Sequence, residues 1–340
     1  MRFLVLLSSH ITQPSLDWQS QLRDVITSRQ ELLDILQLSE NDVGLSSGAC
    51  QEFALKVPRS FVRRIQPGDP RDPLLLQVLS SPQEMTDPPG YSHDPVGESA
   101  AVIPQRGIIH KYHGRALLIV SGGCAVNCRY CFRRHFPYGE NQNSRQQWIE
   151  ALGYIRADSS IEEIILSGGD PLVATDEQLQ QLVAEIASIQ HVKRLRIHSR
   201  LPIVIPERIT EQLLATVMES RLQTIVVTHC NHAQEIDAGV IAALQALRDR
   251  SIITLNQAVL LKDINDSVEA QVALSRALFA TGTLPYYLHL LDKVQGAAHF
   301  DVPESKARQL MAGVTARLPG YMVPKLVREV SGADAKVAIK

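Results

Sequence analysis

The sequence predicts an α/β protein whose parallel strands form an open, partial (β/α)6 barrel of the TIM type. From about residue 115 onward, six apolar, β-branched runs recur, and a helix-like segment follows each of them. Strands that alternate with single helices in this way form βαβ units and a parallel sheet. Because a closed barrel of this type needs about eight such units, six units predict that the barrel stays open.

The six strands and six helices are predicted in strict alternation. We expect strands at 116–121, 162–167, 193–199, 222–228, 252–259 and 284–291, and helices at 144–156, 175–190, 207–220, 234–249, 267–281 and 303–318. In parallel sheets, ligands bind at the carboxyl ends of the strands. We therefore look for functional residues just after each predicted strand.

The remaining parts of the chain flank this core. Residues 15–36 have apolar residues at helical spacing, and residues 66–105 are rich in Pro and Asp, which is typical of extended, turn-filled segments. The sequence thus predicts an N-terminal helical and extended arm over 1–105, a core over 106–318 and a short C-terminal segment over 319–340.

The overall composition excludes several classes of protein. The chain has 340 residues, 45% of them hydrophobic and 21% charged, which suits a globular fold that needs no disulfides. Its 34 basic and 36 acidic side chains give a net charge of −2, so we expect no nucleic-acid partner and no membrane partner.

The start of the chain and its cysteines predict a cytoplasmic location. The opening apolar stretch is followed by polar residues and Pro14 rather than by the small-residue cleavage site of a signal peptide. Three of the five cysteines crowd into residues 124–131, which is unlike a secreted disulfide framework.

Directly after the first core strand, Cys124, Cys128 and Cys131 form a CxxxCxxC motif on one loop. Three thiolates can hold a [4Fe–4S] cluster and leave one iron open for a substrate or cofactor. The alternative is a non-catalytic zinc-binding module, for which His135 is the nearest fourth ligand. Structural zinc sites usually combine two short ligand pairs, and the sequence offers no second pair.

The cysteine loop resembles the signature of radical S-adenosylmethionine (SAM) enzymes, including Tyr130 just before the third cysteine. The resemblance implies that SAM chelates the open iron of a [4Fe–4S] cluster. An electron delivered through the cluster, from a flavodoxin- or ferredoxin-type protein, would then cleave SAM to methionine and a 5′-deoxyadenosyl radical.

The loop after the second core strand reads Ser167-Gly168-Gly169-Asp170. Paired glycines allow close approach of the backbone to a ligand, and the aspartate can accept from an ammonium group, although a tight turn is the simpler interpretation of an isolated Gly-Gly-Asp. Beside such a cysteine loop, the segment is similar to the one that binds the amino group of SAM. Two residues that close the third strand resemble further SAM contacts: Ser199 and Arg200.

Within radical SAM enzymes, segments from about residue 100 to the C-terminus resemble the lysine 2,3-aminomutase family in the same order. Among them are residues 131–134, 228–232 and 285–287. The resemblance implies an isomerase that also uses pyridoxal 5′-phosphate (PLP). The short C-terminal region is most similar to the bacterial branch whose product, (R)-β-lysine, a separate lysyl-ligase attaches to elongation factor P.

The resemblance also implies a PLP site. It identifies Lys336 as the lysine that forms a Schiff base with PLP, with Lys340 as the nearest rival. The family's glycine-rich stretch is reduced to a single glycine in residues 331–336. Three residues would hold the phosphate and ring of PLP, although a basic surface turn is the alternative reading of the same residues: Lys111, Tyr112 and Arg115.

The substrate residues follow from the same resemblance. Arg133 corresponds to the residue that binds the substrate carboxylate, a task that suits the planar fork of a guanidinium. Asp292 and Glu329 correspond to the two acids that hold the distal ammonium group of lysine, although the family has an aspartate at the second position. An arginine facing two acids selects a molecule with a carboxylate at one end and an ammonium at the other, so glutamate is disfavoured.

The reaction implied is the conversion of L-α-lysine to (R)-β-lysine, with migration of the amino group from the α- to the β-carbon. Two alternatives within the same superfamily stay open: an aminomutase acting on another amino acid, and a radical SAM enzyme without PLP. The sequence leaves the assembly open as a monomer or a dimer.

Overall fold

The computed structural model describes residues 17–44, 53–86, 88–98, 103–104, 106–137 and 145–340. The strands are β1 (Val25–Ile26), β2 (Val57–Pro58), β3 (Ile108–Tyr112), β4 (Arg115–Ser121), β5 (Glu163–Gly168), β6 (Arg194–Ser199), β7 (Gln223–Thr228), β8 (Ile253–Val259), β9 (Leu284–His289), β10 (Lys325–Arg328) and β11 (Val337–Ala338).

Most of the helices lie between these strands. They are α1 (Trp18–Arg23), α2 (Arg29–Ile35), α3 (Arg59–Val62), α4 (Arg145–Ala157), α5 (Asp176–Ala187), α6 (Leu201–Val204), α7 (Glu211–Met218), α8 (Ala238–Asp249), α9 (Val268–Ala280) and α10 (Glu304–Thr315). Short 3₁₀ helices cover Pro82–Met85, Pro171–Val173, Pro206–Arg208, Ala233–Glu235, Ala298–Phe300 and Gly320–Met322. No helix of the described residues is long and apolar enough to cross a membrane.

The main sheet arranges β3 to β11 in the order of the chain. Strands β4 to β10 are parallel, whereas β3 and β11 are antiparallel to their neighbours at the two edges. Among the described residues, no ladder joins β3 to β11, so the barrel is open as the sequence predicts. The six predicted strands are confirmed as β4 to β9.

The helices begin where the sequence offers caps. Thr175 accepts from the backbone N–H of Gln178, whose side chain accepts in return from the backbone N–H of Thr175, and α5 begins at the next residue. The prediction for the next helix is wrong at its start. Residues 206–208 form a separate 3₁₀ turn, because Arg208 is fully buried against Asp176, and α7 begins only after the cap Thr210.

The N-terminal segment also departs from its prediction. The helical spacing over residues 15–36 corresponds to two helices, because the described part divides into α1, β1 and α2, and Val25 and Ile26 pair with β2. Leu32, Phe61 and Leu75 of this segment are fully buried in the same apolar cluster as the barrel. The described part of the arm is therefore packed into the core.

The C-terminal segment extends the main sheet. Strand β10 pairs in parallel with β9, with Leu326 opposite Leu288. Strand β11 then turns back along β10, with Val337 opposite Arg328. The sequence missed both strands because each is short. Strand β9 also ends earlier than predicted, at His289, and leaves residues 290–292 in the loop that follows.

Candidate active site

A cavity of about 690 Å³ opens at the carboxyl ends of the parallel strands. Every site residue that the sequence predicts lies on its wall, whereas the rival lysine, Lys340, does not. These residues are Lys111, Tyr112, Arg115, Cys124, Cys128, Cys131, Arg133, Ser167, Gly168, Gly169, Asp170, Ser199, Arg200, Asp292, Glu329 and Lys336.

The cysteine loop lies between β4 and α4, and buried charges attach it to the N-terminal segment. Arg129, between the second and third cysteines, is fully buried, and its Nε lies 2.8 Å from Oε1 of Glu84. Nη2 of Arg134 donates to the same carboxylate at 2.9 Å. Glu84 is itself buried, and its one carboxylate is shared by two guanidinium groups of the loop.

The three cysteines are free thiols that face the cavity. Nη1 of Arg200 lies 2.7 Å from Sγ of Cys128. Three thiols on one cavity wall suit the donor set of a [4Fe–4S] cluster. No group of three or more Cys, His, Asp or Glu side chains in the described residues has the arrangement of a single-ion metal site.

Gly168, the last residue of β5, and Gly169, which follows it, allow the neighbouring backbone to pack closely against them. A Cβ atom on Gly168 would lie 2.5 Å from the carbonyl oxygen of Ser121, and one on Gly169 would lie 2.4 Å from that of Gly123. The backbone N–H groups of Gly169 and Asp170 donate to these same two carbonyls, each at 2.8 Å. The close approach that the sequence predicts is therefore to the protein's own backbone.

Asp170 connects two loops at the bottom of the cavity. Its Oδ1 accepts from Oγ of Ser199 at 2.7 Å and from the backbone N–H of Leu172 at 3.0 Å. Its Oδ2 accepts from the backbone N–H groups of Arg200 and Leu201 at 2.8 and 3.1 Å. Since a carboxylate has about four acceptor positions, a direct bond from Asp170 to an ammonium group would require exchange of one of these bonds.

Arg200 is buried at the cluster side of the cavity and has several partners. Nη2 donates to Oε2 of Glu235 at 3.0 Å and to Oε1 of Gln77 at 2.6 Å, and Nη1 donates to the hydroxyl of Tyr130 at 2.7 Å. Glu235 is fully buried. This ion pair keeps the guanidinium beside Cys128.

Arg133, the predicted substrate residue, is paired with a carboxylate of this chain. Nε and Nη2 each donate to Glu98, at 2.7 Å, in a bidentate pair. Nη1 donates to Oγ of Ser167 at 3.3 Å and to the carbonyl oxygen of Gly168 at 3.2 Å. Sequence analysis missed Glu98, because nothing in its local pattern distinguishes it from a solvated acid.

Lys336 lies beside Glu329 because β10 and β11 form a hairpin. Nζ of Lys336 donates to Oε2 of Glu329 at 2.7 Å, and the hydroxyl of Tyr112 donates to the other oxygen of the same carboxylate. Nζ of Lys111 lies 3.9 Å from Glu329. Burial raises the pKa of Glu329, but Lys336, Tyr112 and Lys111 outweigh it and hold that pKa below its usual value.

Asp292 differs from the other acids of the cavity. In the described residues, no side-chain hydrogen bond or ion pair reaches its carboxylate within 4 Å. Burial raises the pKa of Asp292 to about 7, a shift that nearby Lys336 opposes and Glu329 reinforces. Among the described residues, the carboxylate thus has no directly paired cation that would favour its charged form.

Arg115 contrasts with the other cations of the cavity wall. Its guanidinium stacks over the ring of Tyr112, 4.8 Å from the centroid, and among the described residues it forms no ion pair with any acid. A cation in this position suits an anionic group such as phosphate.

Two histidines complete the cavity wall and were also missed. His289 is buried and His198 is half-buried, and each has a buried Nε2 atom without a hydrogen-bond partner in the described residues. Burial around the rings lowers the pKa of each well below its usual value. Each sits at or next to the end of its strand, which is the one sequence signal that points to them. As neutral rings with an unsatisfied nitrogen, they suit contact with a polar ligand.

Comparison with known proteins first defines the class. Residues 118–270 match the family model described as the Radical SAM superfamily. This segment begins in β4 and includes the cysteine loop and the Gly-Gly-Asp loop. The chain therefore contains a radical SAM domain, which implies a [4Fe–4S] cluster and SAM as cofactors.

Curated relatives define the family more closely. The chain is 51% identical to L-lysine 2,3-aminomutase of Escherichia coli (strain K12), over 95% of this chain and 94% of the relative. It is 48% identical to the Haemophilus influenzae enzyme of the same name, over 94% of each chain. A longer relative from Clostridium subterminale is 31% identical, over 95% of this chain and 77% of the relative.

The chain belongs to the lysine 2,3-aminomutase family, and it is an isomerase. The family resemblance predicted from sequence is thereby confirmed. The alternative of a non-catalytic zinc-binding module is wrong, because these relatives are enzymes and match nearly the whole chain.

Proposed function

We propose that this protein is an L-lysine 2,3-aminomutase that converts L-α-lysine to (R)-β-lysine with a [4Fe–4S] cluster, SAM and PLP. The observation that carries the proposal is the charge arrangement of one cavity, in which Arg133 shares the wall with the acids Asp292 and Glu329. A substrate with one carboxylate and a distal ammonium group complements this arrangement. The names of the relatives support the same substrate.

In this proposal, Cys124, Cys128 and Cys131 hold the cluster, and the backbone around Gly168 and Gly169, with Ser199 and Arg200, shapes the SAM site next to it. When bound, the cluster and SAM supply the 5′-deoxyadenosyl radical, and PLP delocalises the unpaired electron while the amino group migrates. Arg200 would lie against the cluster side of this site, since its Nη1 is 2.7 Å from Sγ of Cys128.

Lys336 would hold PLP. Its ammonium group is on the cavity wall, and its side chain is only 28% exposed. Arg115 would bind the phosphate, because it is a cation of the wall without an acidic partner in the described part of the chain, and Tyr112 would stack near the ring. Lys111 contributes positive charge, although its Nζ also donates to the carbonyl oxygen of Val96 at 2.8 Å.

The substrate's distal ammonium group would bind Asp292 and Glu329. A cation beside Asp292 favours the ionised carboxylate and lowers its pKa from about 7, so lysine binding and loss of a proton from Asp292 are coupled near neutral pH. Arg133 would bind the carboxylate at the other end. Holding both ends fixes the β-carbon in one position relative to the bound radical source.

We also propose the wider setting of the reaction. A flavodoxin- or ferredoxin-type protein would deliver the electron to the cluster. The β-lysine would then be attached to elongation factor P by a separate lysyl-ligase, as the resemblance to the short bacterial branch of the family implies.

An anaerobic turnover assay tests the proposal. Protein with a reconstituted cluster receives L-lysine, SAM, PLP and a strong reductant, and chiral chromatography resolves the products. We expect (R)-β-lysine that disappears when either SAM or PLP is omitted. Product formed without PLP would favour a radical SAM enzyme of another kind, and no β-lysine from protein with an intact cluster would contradict the lysine assignment.

A further inference from the structure

The guanidinium group of Arg133 is already bound to a carboxylate. An arginine side chain has five N–H groups in a rigid fork. Glu98 accepts from Nε and from Nη2 at 2.7 Å each, and Nη1 donates to Ser167 and Gly168. Glu98 thus occupies the Nε/Nη2 edge of the fork, and Ser167 and Gly168 use Nη1 of the other edge, so a substrate carboxylate cannot bind at the Nε/Nη2 edge while Glu98 remains there.

Burial makes this ion pair costly to break. The side chains of Arg133 and Glu98 are only 8% and 7% exposed. Burial raises the pKa of Glu98, but Arg133 and Lys111 outweigh it and hold that pKa below its usual value, so the carboxylate is ionised at neutral pH. Removal of one partner leaves an uncompensated buried charge. Arg133 therefore releases Glu98 readily only when another carboxylate replaces it.

In a second ion pair of the same cavity, a predicted substrate-binding residue is again paired with a side chain of the protein itself. Glu329, which would bind the substrate's ammonium group, accepts from the ammonium group of Lys336 at 2.7 Å. Each of these two recognition residues is thus paired with a side chain that has the charge of the substrate end it would bind. The backbone N–H of Glu98 donates to Oδ1 of Asp94 at 2.8 Å, which positions the backbone from which the Glu98 side chain reaches Arg133.

We propose that Glu98 weakens lysine binding by occupying the position of the substrate carboxylate on Arg133 and exchanging with it when the substrate enters. The inference rests on the proposed function of this cavity. The carboxylate of an amino acid can replace Glu98 as the partner of the Arg133 guanidinium. An amine without a carboxylate cannot, so Glu98 stays in place. The internal carboxylate therefore lowers the affinity for lysine and leaves the affinity for the corresponding amine unchanged.

Binding without turnover tests this inference. PLP-loaded protein is titrated with L-lysine in the absence of reductant, and the change in PLP absorbance gives the Kd. If Glu98 holds Arg133 for most of the time, Glu98→Gln should lower the Kd for lysine about tenfold, since the competing carboxylate is gone. Glu98→Asp, which keeps the charge but shortens the side chain, should lower the Kd by a smaller factor. The Kd for cadaverine, which has both amino groups of lysine and no carboxylate, should not change.

An unchanged or higher Kd for lysine in Glu98→Gln would overturn the inference, because it would mean that Glu98 remains in place and orients Arg133. An equal gain in affinity for cadaverine would also overturn it. Thermal unfolding checks that each variant is folded, and Glu98→Asp decides the question if Glu98→Gln is not. Wild-type protein that shows no response to lysine would contradict the proposed function itself.

Discussion

The charged side chains at the two ends of the cavity differ in whether they have partners of opposite charge. At the cluster end, Arg129 and Arg134 share the buried carboxylate of Glu84, and Arg200 is paired with the buried Glu235. At the opposite end, Asp292 has no cationic partner within 4 Å and Arg115 has no acidic one, as far as the described residues show. A charge with a permanent partner stabilises a fixed geometry, whereas a buried charge without one binds a complementary ligand. The cluster end is thus complete in the folded chain, and the other end depends on its ligands.

The largest effect is expected at the ligand-dependent end. Lys336→Ala removes the amine that would bind PLP, so we expect β-lysine formation to fall to background and the absorbance of protein-bound PLP to disappear. Lys340→Ala is the matched control, because this exposed lysine of the same segment does not line the cavity. Full activity of Lys336→Ala, or equal losses in the two variants, would contradict the assignment of Lys336.

The next effect concerns the balanced charges of the cluster end. Glu84→Gln leaves Arg129 and Arg134 buried without an anion, and we expect it to lower the free energy of unfolding by about 3–5 kcal/mol. The control is Glu185→Gln, which breaks the exposed Glu185–Arg156 pair and should cost about 0–1 kcal/mol. Urea denaturation measures both. Equal effects would mean that the buried triad does not stabilise the cysteine loop.

A smaller effect is expected for the unpaired acid. The pKa of Asp292 is about 7 in the folded chain and near 4 when unfolded, so the folded state binds an additional proton between these values. Without ligands, stability should therefore fall as the pH rises from about 4 to 7. Asp292→Asn removes this dependence and should raise the Tm at pH 8 by several degrees, while it weakens lysine binding.

Thermal unfolding from pH 4 to pH 8 checks this prediction, and a lysine titration of the same samples checks the loss of affinity. Asp292→Asn that is less stable than wild type at pH 8 would mean that Asp292 has a cationic partner in the folded protein. The charged side chains at its end of the cavity would then be paired, as they are at the cluster end.

The smallest effects come from one substitution made at two glycines. Gly169→Ala places a methyl group 2.4 Å from the carbonyl oxygen of Gly123 and should destabilise the protein by about 1–3 kcal/mol. Gly153→Ala, in the exposed face of α4 with no atom within 4 Å, should stabilise it by about 0.5–1 kcal/mol. Chemical denaturation measures both, and the same sign at the two sites would contradict close packing of the cysteine loop.

Much of the site could be predicted because its signals are local. The CxxxCxxC spacing, the Gly-Gly-Asp loop and the six apolar runs are each contained in a few consecutive residues. The alternation of strands and helices then requires the loops after the strands to meet at one edge of the sheet. Lys336 was located only by family resemblance, since a lysine near the end of a chain has no distinctive pattern.

The local sequence is sufficient to predict the six core strands, the position of the cysteine loop and the resemblance that implies the class of chemistry. The pairing of the charges, in contrast, depends on the folded arrangement of the chain. Glu98 meets Arg133 across 35 residues and Glu84 meets Arg129 across 45, and an isolated acid at such a distance has no periodic signal. Burial and pairing depend on segments that meet only in the folded chain. Carboxyl groups of the same chemistry therefore have different roles: Glu84 stabilises a loop, Glu98 pairs with an arginine, and Asp292 has no directly paired cation among the described residues.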